Sequence, residues 1–254
     1  MMRIECDSGG FIESIDTVWN DRVFGFRTNE ITGFVFHDQS DCLELLDLFE
    51  RHCLDGGYRL SAFRVDAGEA LLKKELQEHG WRFVEHSVRV SLGGLRNRKM
   101  DETFGGLLQL ARPNDQDFEV ISRIAESSFH YGRFQEDPWI GKKPAAERHK
   151  SWISDMRKQG REFLVYRPAG DAVSFMAYEI RQGAAELILG GSADGYGFIS
   201  PRFWTSVLHF LAEEGCDTVR TLISGSNKGV FNLYSRLGFQ IKQVFYGFHK
   251  MREA

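Results

Sequence analysis

The chain has 254 residues, which is enough for one large domain or two modest ones. Its net charge of -4 and pI near 6.1 leave no dominant basic face, so we expect no nucleic-acid partner. No apolar run approaches the roughly 18 residues of a membrane span, and the N-terminus lacks the apolar core of a signal peptide. We therefore expect a cytoplasmic protein with no membrane partner.

The cysteines and histidines show no pattern of a disulfide framework or a metal site. Cys6, Cys42, Cys53 and Cys216 are scattered without Cys-x-x-Cys spacing, which is typical of reduced, buried thiols. The histidines are spread along the chain without the spacing of metal ligands. The sequence therefore predicts no metal cofactor.

The first part of the chain alternates helix and strand signals. Apolar residues at helical spacing predict a helix over residues 41–54, which ends at a Gly-Gly pair before a strand over 58–65. A second helix over 68–79 leads through a Gly-Trp pair into a strand that begins at 80–84. The polar stretch 95–106 has the composition of a linker.

The second part repeats this alternation at greater length. A helix over residues 114–127 is predicted to begin at Asn114 or Asp115, either of which can cap it. The other elements predicted from periodicity and turn residues are a strand at 107–112, a helix at 146–159, strands at 162–167, 172–181 and 185–190, a helix at 200–214, and strands at 218–223 and 240–250. The second part is therefore predicted to alternate strands and helices, as an α/β chain does.

The segment from Asn227 to Phe239 carries the clearest motif. Ser226 or Asn227 can cap a helix through a side-chain oxygen, and Gly238 stands where a left-handed residue ends one. One apolar stripe runs along this helix at the spacing i, i+3, i+4 and i+7, and it consists of Val230, Leu233, Tyr234 and Leu237. The tyrosine adds a phenol, with an ordinary pKa of about 10, to the face that packs on the sheet. From the helix alone, a plain core tyrosine explains the pattern equally well.

This segment and the surrounding order of elements resemble the GNAT superfamily of acyl-CoA-dependent N-acyltransferases. The resemblance implies that Asn227 contacts the cofactor arm and that Tyr234 protonates the departing CoA thiolate. A phenol suits that role, because a leaving thiolate gains from a nearby proton donor. It further implies acetyl-CoA, or another acyl-CoA, as co-substrate and a small-molecule amine as acceptor, and it is compatible with a homodimer.

The two parts of the chain also match each other. Gly238 lies 158 residues after Gly80, and the strands before these glycines align at the same offset. At this register Leu76 stands in the place of Tyr234, and Glu69 in the place of the capping asparagine. We therefore predict that the first part keeps the scaffold of the second without its proton donor. Any strand-helix-Gly-aromatic-strand unit would match in part, so duplication is a hypothesis.

The resemblance and the repeat together predict two tandem GNAT-like domains, each a mixed twisted sheet flanked by helices. A degenerate domain is expected at 1–97, a linker at 98–106, and the catalytic domain at 107–254. The fold class is α/β, of the α+β kind.

The donor site is expected at the end of one strand and the loop that follows it. A helix N-terminus offers free N–H groups and a positive dipole end to a pyrophosphate. Ser200 is predicted to cap that helix and Pro201 to occupy its first turn. The family pattern Gln/Arg-x-x-Gly-x-Gly/Ala is displaced here, and Gly190-Gly191 suggests a bulge or a close approach. The residues expected to contact the cofactor are Leu189, Gly190, Gly191, Gly195, Tyr196, Gly197, Phe198, Ile199, Ser200 and Asn227.

The acceptor side is expected in the aromatic-rich loop that follows residue 127. The resemblance implies that this loop lines the acceptor pocket, with Arg133 pairing with a substrate phosphate. The residues expected to bind the acceptor are His130, Tyr131, Arg133, Phe134, Asp137 and Glu179. A water chain is one candidate for the general base, and the residue candidates are Glu179, Glu186, Asp194 and His130.

Three readings of function remain open at this stage. The first is acyl transfer to a nucleotide-linked amino-sugar. The second is the same chemistry on another amine, such as an amino acid, a polyamine or an antibiotic. The third is a non-catalytic tandem GNAT-like binding protein, which the displaced glycine pattern favours and the retained Asn227 and Tyr234 oppose.

Overall fold

A computed structural model describes residues 1–99 and 104–253 as a mixed α/β protein. The elements of the first half are β1 (Met2–Glu5), β2 (Phe11–Asp16), α1 (Val18–Phe24), β3 (Arg27–Val35), α2 (Gln39–Asp55), β4 (Tyr58–Asp66), α3 (Ala70–Glu78) and β5 (Arg82–Gly93). Those of the second half are β6 (Leu110–Ala111), α4 (Asp115–Ser127), α5 (Lys142–Lys158), β7 (Glu162–Tyr166), β8 (Ser174–Arg181), β9 (Ala184–Ser192), α6 (Ser200–Glu213), β10 (Thr218–Ser224), α7 (Lys228–Arg236) and β11 (Gln240–Met251).

Most predicted elements are present, and local chemistry explains where they begin. Asn114 accepts a hydrogen bond from the Asp117 N–H while the Asp117 carboxylate accepts one from the Asn114 N–H, so α4 begins with a complete capping box. Asn227 caps α7 by accepting from the Val230 N–H at 3.1 Å. The helix predicted at 146–159 begins four residues earlier, at Lys142. Residues 100–103 of the predicted linker lie outside the described residues.

Two expectations about local structure are wrong. Ser200 is the first residue of α6 and Ile199 is its N-cap, with Pro201 in the first turn. The Ser200 hydroxyl lies 3.2 Å from the Ser192 hydroxyl and makes no cap hydrogen bond. The bulge expected at Gly190-Gly191 occurs at residue 188, where the pairing of β9 with β8 shifts register.

All eleven described strands form one sheet, in the order β1-β2-β3-β4-β11-β5-β10-β9-β8-β7-β6. Each half contributes strand pairings of the same kind in the same order. In the first half, β2 is antiparallel to β3 and β3 is parallel to β4. In the second half, β8 is antiparallel to β9 and β9 is parallel to β10. The single sheet of the described residues thus consists of two mixed halves joined edge to edge, as the tandem GNAT-like fold class predicts.

The two halves exchange their last strands at the centre of the sheet. After α3, β5 does not return beside β4 but pairs with β10 of the second half. After α7, β11 pairs with β4 of the first half, and the two exchanged strands pair with each other. The offset of 158 residues relates α3 to α7 and also relates the two exchanged strands to each other.

The exchanged strands carry side chains into the core of the opposite half. Leu92 of β5 is buried among residues of α6, α7 and β10. Phe248 of β11 is buried in the cluster that contains Phe49 and Trp81 of the first half. The four cysteines are all buried as free thiols. Within residues 1–99 and 104–253, no helix is long and apolar enough to cross a membrane.

We expect that the two halves are stabilised together because of this exchange. Phe248→Ala should lower the free energy of unfolding by about 3–5 kcal/mol, since it removes a fully buried ring. Native-state hydrogen exchange should then increase in both β4 and β10, which are linked through β11 and β5. Ile241→Ala is the matched control, because Ile241 lies on the same strand and is 53% exposed. Faster exchange confined to the first half would contradict a shared unit.

Candidate active site

The centre of the second half contains a gap between two parallel strands. β9 and β10 pair only from Ala184 and Thr218 to Leu187 and Thr221. Beyond that point β9 continues against β8, and β10 continues against β5, so the two strands separate. The backbone edge of residues 188–191 therefore faces a cleft instead of a neighbouring strand. Such an edge can pair with an extended, amide-containing ligand.

The cleft at this gap has a volume of about 490 Å³. Consecutive residues of β9, from Leu187 to Gly190, and of β10, from Thr221 to Ser224, all line it. Because neighbouring side chains of a strand point to opposite faces, the cleft at this gap adjoins groups from both faces of the sheet. A donor on one face and an acceptor on the other can therefore meet at the gap.

Tyr234 lies at the wall of this cleft. Its hydroxyl accepts a hydrogen bond of 2.9 Å from the Trp204 indole N–H, and its ring packs edge-on against Phe239 at 4.7 Å between centroids. The residue is 4% exposed, and burial raises the pKa of its phenol to about 12 despite its hydrogen bonds with Trp204 and Thr221. The phenol is therefore neutral at physiological pH and keeps a proton to donate.

The loop before α6 leaves the first N–H groups of that helix without a side-chain cap. Gly195 takes a left-handed conformation (φ +81°), and a 3₁₀ turn over Gly197–Ile199 leads into the helix. Phe198 is 77% exposed and stacks on Tyr196 at 6.3 Å between centroids. Asp194 is exposed and does not line the cleft. The loop thus places two exposed aromatic rings beyond the end of β9.

The equivalent place in the first half is closed. β3 and β4 also stop pairing, at Ile31 and Phe63, but there the Phe34 ring lies 6.1 Å from the Phe63 ring. Two acids at the start of α2 accept hydrogen bonds from backbone N–H groups. Asp38 accepts from the Asp41 N–H at 3.0 Å, and Asp41 accepts from the His37 N–H at 3.2 Å. Carboxylates there occupy backbone donors that a phosphate would need. Leu76, fully buried, stands in the place of Tyr234.

The glycines at the end of β9 pack closely against neighbouring side chains. A Cβ added at Gly190 would lie 2.5 Å from Met176 Cε and 3.2 Å from Trp204 Cζ2. A Cβ added at Gly191 would lie 3.3 Å from Phe129 Cζ. Close packing, and not only the approach of a ligand, therefore explains the Gly-Gly pair.

A cluster of buried charges forms the opposite wall of the cleft. Arg133 donates from Nη1 and Nη2 to the two carboxylate oxygens of Glu30, at 2.8 and 2.7 Å. Arg64 donates from Nε and Nη2 to one oxygen of Glu85, at 3.2 and 2.9 Å. Burial alone would raise the pKa of Glu30, but the charge of Arg133 lowers it to about 2. Three of these four residues come from the first half.

Arg148 of α5 completes this cluster. Its Nε donates to Asn20 Oδ1 at 2.7 Å, and its guanidinium lies 4.2 Å from the centroid of the Phe134 ring. Burial, and then the neighbouring charge of Arg133, lowers the pKa of Arg148 to about 9. Burial and Arg148 likewise lower the pKa of His149 to about 4, so that imidazole is neutral at physiological pH.

The predicted acceptor residues divide into two groups. Tyr131, Arg133 and Phe134 line the cleft, although both terminal nitrogens of Arg133 already bind Glu30. His130 is exposed and does not line the cleft. The structure does not bring the other two to the cleft either: Asp137 is buried 2.6 Å from His249 Nδ1, and Glu179 pairs with Arg161 and Arg181.

Glu136, which the sequence analysis did not single out, joins the acceptor loop to the cap of α7. Its carboxylate accepts from the Gly132 N–H at 2.8 Å and from the hydroxyls of Ser224 and Ser226 at 2.8 and 2.7 Å. Burial opposes its ionisation, but these hydrogen bonds lower the pKa of Glu136 below its usual value. The ionised form therefore holds the loop beside Asn227, which also lines the cleft.

Of the predicted donor residues, Leu189, Gly190 and Asn227 line the cleft, Gly191 is the next residue of β9, and residues 195–200 form the loop and the start of α6 beyond it. The sequence analysis missed several lining residues: Glu30, Arg64, Glu85, Ser87, Arg148, Trp152 and Trp204. Charged residues inside otherwise apolar strands were the available signal for Glu30, Arg64 and Glu85. No group of three or more His, Cys, Asp or Glu side chains placed to hold a metal ion occurs among the described residues.

Known structures share this architecture. A GCN5-related N-acetyltransferase from Sphaerobacter thermophilus aligns with a TM-score of 0.66 and 14% identity, over 98% of this chain and 79% of that one. A tandem GNAT protein from the clavulanic acid biosynthesis pathway aligns with a TM-score of 0.57 and 12% identity, over 89% of this chain and 76% of that one. These likenesses confirm the resemblance to the GNAT superfamily at the level of the fold, in its tandem form.

Sequence comparisons reach less of the chain. It is 27% identical over 146 residues, 56% of its length, to the spore coat polysaccharide biosynthesis protein SpsD of Bacillus subtilis strain 168. That match spans 50% of the length of the relative. No protein-family model matches the chain.

We expect the packing at Gly190 to limit substitution there. Gly190→Ala should lower the free energy of unfolding by about 1–3 kcal/mol, because the buried Met176 and Trp204 side chains must move. Gly229→Ala is the control, since an added Cβ in α7 would meet only Asn227 Oδ1 at 3.8 Å. That helical substitution should raise the stability by up to about 1 kcal/mol. Equal urea midpoints for the two variants would contradict this account of the cleft wall.

Proposed function

We propose that this protein transfers an acyl group, with acetyl as the favoured one, from acyl-CoA to the primary amine of a small molecule. The observation that carries the proposal is the gap between β9 and β10, with a neutral, buried Tyr234 on its wall. The open edge of residues 188–191 suits an extended pantetheine arm, and the uncapped start of α6 suits its phosphates. Catalysis is assigned to the half at 107–254.

The reaction follows from these groups. The free amine attacks the thioester carbonyl, a C–N bond forms and the C–S bond breaks. Tyr234 donates its phenolic proton to the departing sulfur, and the Trp204 N–H stabilises the negative charge that develops on the phenol oxygen. A backbone N–H on the open edge of β9 polarises the carbonyl oxygen. A base takes up the proton that the amine loses, so the products are an amide and a free thiol.

Glu186 is the base that we assign. Of the four side chains considered as candidates, Glu186 is the one that lines the cleft, one residue before Leu187, where pairing with β10 ends. Partial burial raises the pKa of its carboxyl above the usual value, with Arg89 and Arg220 opposing the shift. A carboxylate with a raised pKa is a stronger base.

A nucleotide-linked amino-sugar is the acceptor that we favour. The aromatic rings of Phe129, Tyr131 and Trp152 on the cleft wall suit a sugar or a base. The partial match to a protein named for polysaccharide biosynthesis supports the same direction. Other amines, such as amino acids and polyamines, remain the alternative acceptors.

The first test is thiol release from acetyl-CoA in the presence of a panel of amines that includes nucleotide amino-sugars, amino acids and polyamines. Calorimetric titration with acetyl-CoA, CoA and longer acyl-CoAs accompanies it. Micromolar binding and acceptor-dependent release support the proposal. A folded protein that binds no acyl-CoA would instead support a non-catalytic tandem scaffold.

Tyr234→Phe should lower kcat by about 10²–10⁴-fold, because it removes the proton donor. The phenylalanine ring keeps the packing against Phe239, so the dissociation constant of acetyl-CoA should change by less than about twofold. Stopped assays of kcat and calorimetric titration measure the two quantities. An unchanged kcat with normal folding would show that the tyrosine is only a core residue.

The pH profile tests Glu186. Its raised pKa means that the carboxyl is protonated at acid pH, so kcat/KM should rise with pH through a value above the usual range of Glu. Glu186→Gln should lower kcat/KM by about 10²-fold or more and remove this acidic limb. Glu179→Gln on the paired strand should keep kcat/KM and the acidic limb, with the limb moved to lower pH, because the charge of Glu179 helps to raise the pKa of Glu186. An acidic limb that persists in Glu186→Gln would assign the base to another group.

A further inference from the structure

We propose that the acceptor carries an oxyanion, a carboxylate or a phosphate, and that Arg148 binds it at the end of the cleft formed by the first half. The proposal rests on the assignment of this cleft as the acceptor site. It deepens that assignment by naming a chemical class of acceptor and a residue that selects it.

The charges of this wall do not balance. Arg64, Arg133 and Arg148 face two carboxylates, and each carboxylate already binds one guanidinium, Glu30 with Arg133 and Glu85 with Arg64. Arg148 is left without a carboxylate partner among the described residues, and its hydrogen bond to Asn20 uses only Nε. Uncompensated charge in a partly buried wall is costly unless a counter-charge arrives.

Other acids near the cleft are committed elsewhere. The charges of Arg89 on β5 and Arg220 on β10 lower the pKa of Glu186, against the effect of burial. Glu136 accepts hydrogen bonds from Gly132 N–H and from two serine hydroxyls. The low pKa of Arg148, about 9, reflects burial together with the charges of Arg133 and Arg64, which Glu30 only partly offsets.

The geometry of Arg148 suits recognition of an oxyanion. Asn20 holds Nε at 2.7 Å, while the Phe134 and Trp152 rings lie 4.2 and 5.5 Å from the guanidinium carbon. These contacts hold the plane of the group and leave Nη1 and Nη2 to form a two-pronged pair. The cleft holds a second unfilled donor, because the Ser87 hydroxyl on its wall is buried and has no partner among the described residues.

The residue expected from the sequence to hold a phosphate was Arg133. Both terminal nitrogens of Arg133 donate to Glu30, so Arg133 fixes the position of that carboxylate in the wall and repels a cation. Arg148 also lines the cleft and has free donors. The first half thus contributes Asn20, Glu30, Arg64 and Glu85 to recognition of the acceptor, although it has lost its own donor site.

The test uses the whole chain saturated with CoA, which fills the donor site so that phosphate binding there does not interfere. Sodium phosphate and sodium acetate are titrated separately at constant ionic strength against chloride, by calorimetry. Arg148→Gln should weaken the anion that binds by about tenfold or more, the size expected for a lost charge-assisted pair. Lys150→Gln is the control, because Lys150 lies on the same helix and pairs at the surface with Glu126.

A second measurement needs no variant. Phenylglyoxal modifies accessible arginines, and peptide mapping should show that the bound anion protects Arg148 but not the exposed Arg157. Tighter binding of phosphate than of acetate would assign a phosphate-bearing acceptor, and the reverse a carboxylate-bearing one. Neither anion binding above chloride, equal binding by Arg148→Gln, or no protection of Arg148 would overturn the proposal. Failure of CoA to bind the folded wild-type chain would instead overturn the acyltransferase function, and the anion titration would still report on Arg148.

Discussion

The architecture of the site depends on the point where two parallel strands stop pairing. From Leu187 and Thr221 onward, β9 and β10 turn to other neighbours, and the backbone edge of residues 188–191 is left facing a cleft. An unpaired strand edge inside a sheet is costly unless something else satisfies its N–H and C=O groups. The proposed ligand is an acyl-CoA arm that takes the place of the missing strand, with Tyr234 on the same wall.

The exchange of β5 and β11 places a second set of groups at that gap. Because β5 lies beside β10, Glu85 and Ser87 reach the cleft, and Arg64 on β4 and Glu30 on β3 follow from the same arrangement. The first half has closed its own crevice with Phe34 and placed acids at the start of α2. The first half instead contributes a wall of charged side chains to the cleft of the second half. That wall gives a physical reason for keeping a half that has leucine where the other has tyrosine.

Local chemistry made much of the second half predictable. Asn114 and Asn227 cap helices where expected, and turn residues separate β7, β8 and β9 close to their predicted bounds. The predictions that failed concern side-chain partners and strand register, which periodicity does not reveal. Ser200 was predicted to be the N-cap of α6, but it is the first residue of the helix and its hydroxyl contacts the Ser192 hydroxyl. Glu179 and Asp137 looked available, but each is paired with a residue far along the chain, Arg161 for one and His249 for the other.

The sequence by itself determined the helix that carries Tyr234, the repeat at 158 residues and the resemblance to the GNAT superfamily, because these depend on spacing within about a dozen residues or on a constant offset. The tertiary structure decided which strands are neighbours. Periodicity shows which face of a strand is apolar but carries no information on its partner, so the sharing of one cleft by Glu30, Arg64, Arg133 and Arg148 could not be predicted. The charge of this wall is a sum over residues from distant parts of the chain, and only the order of the sheet and the packing of α5 bring them together.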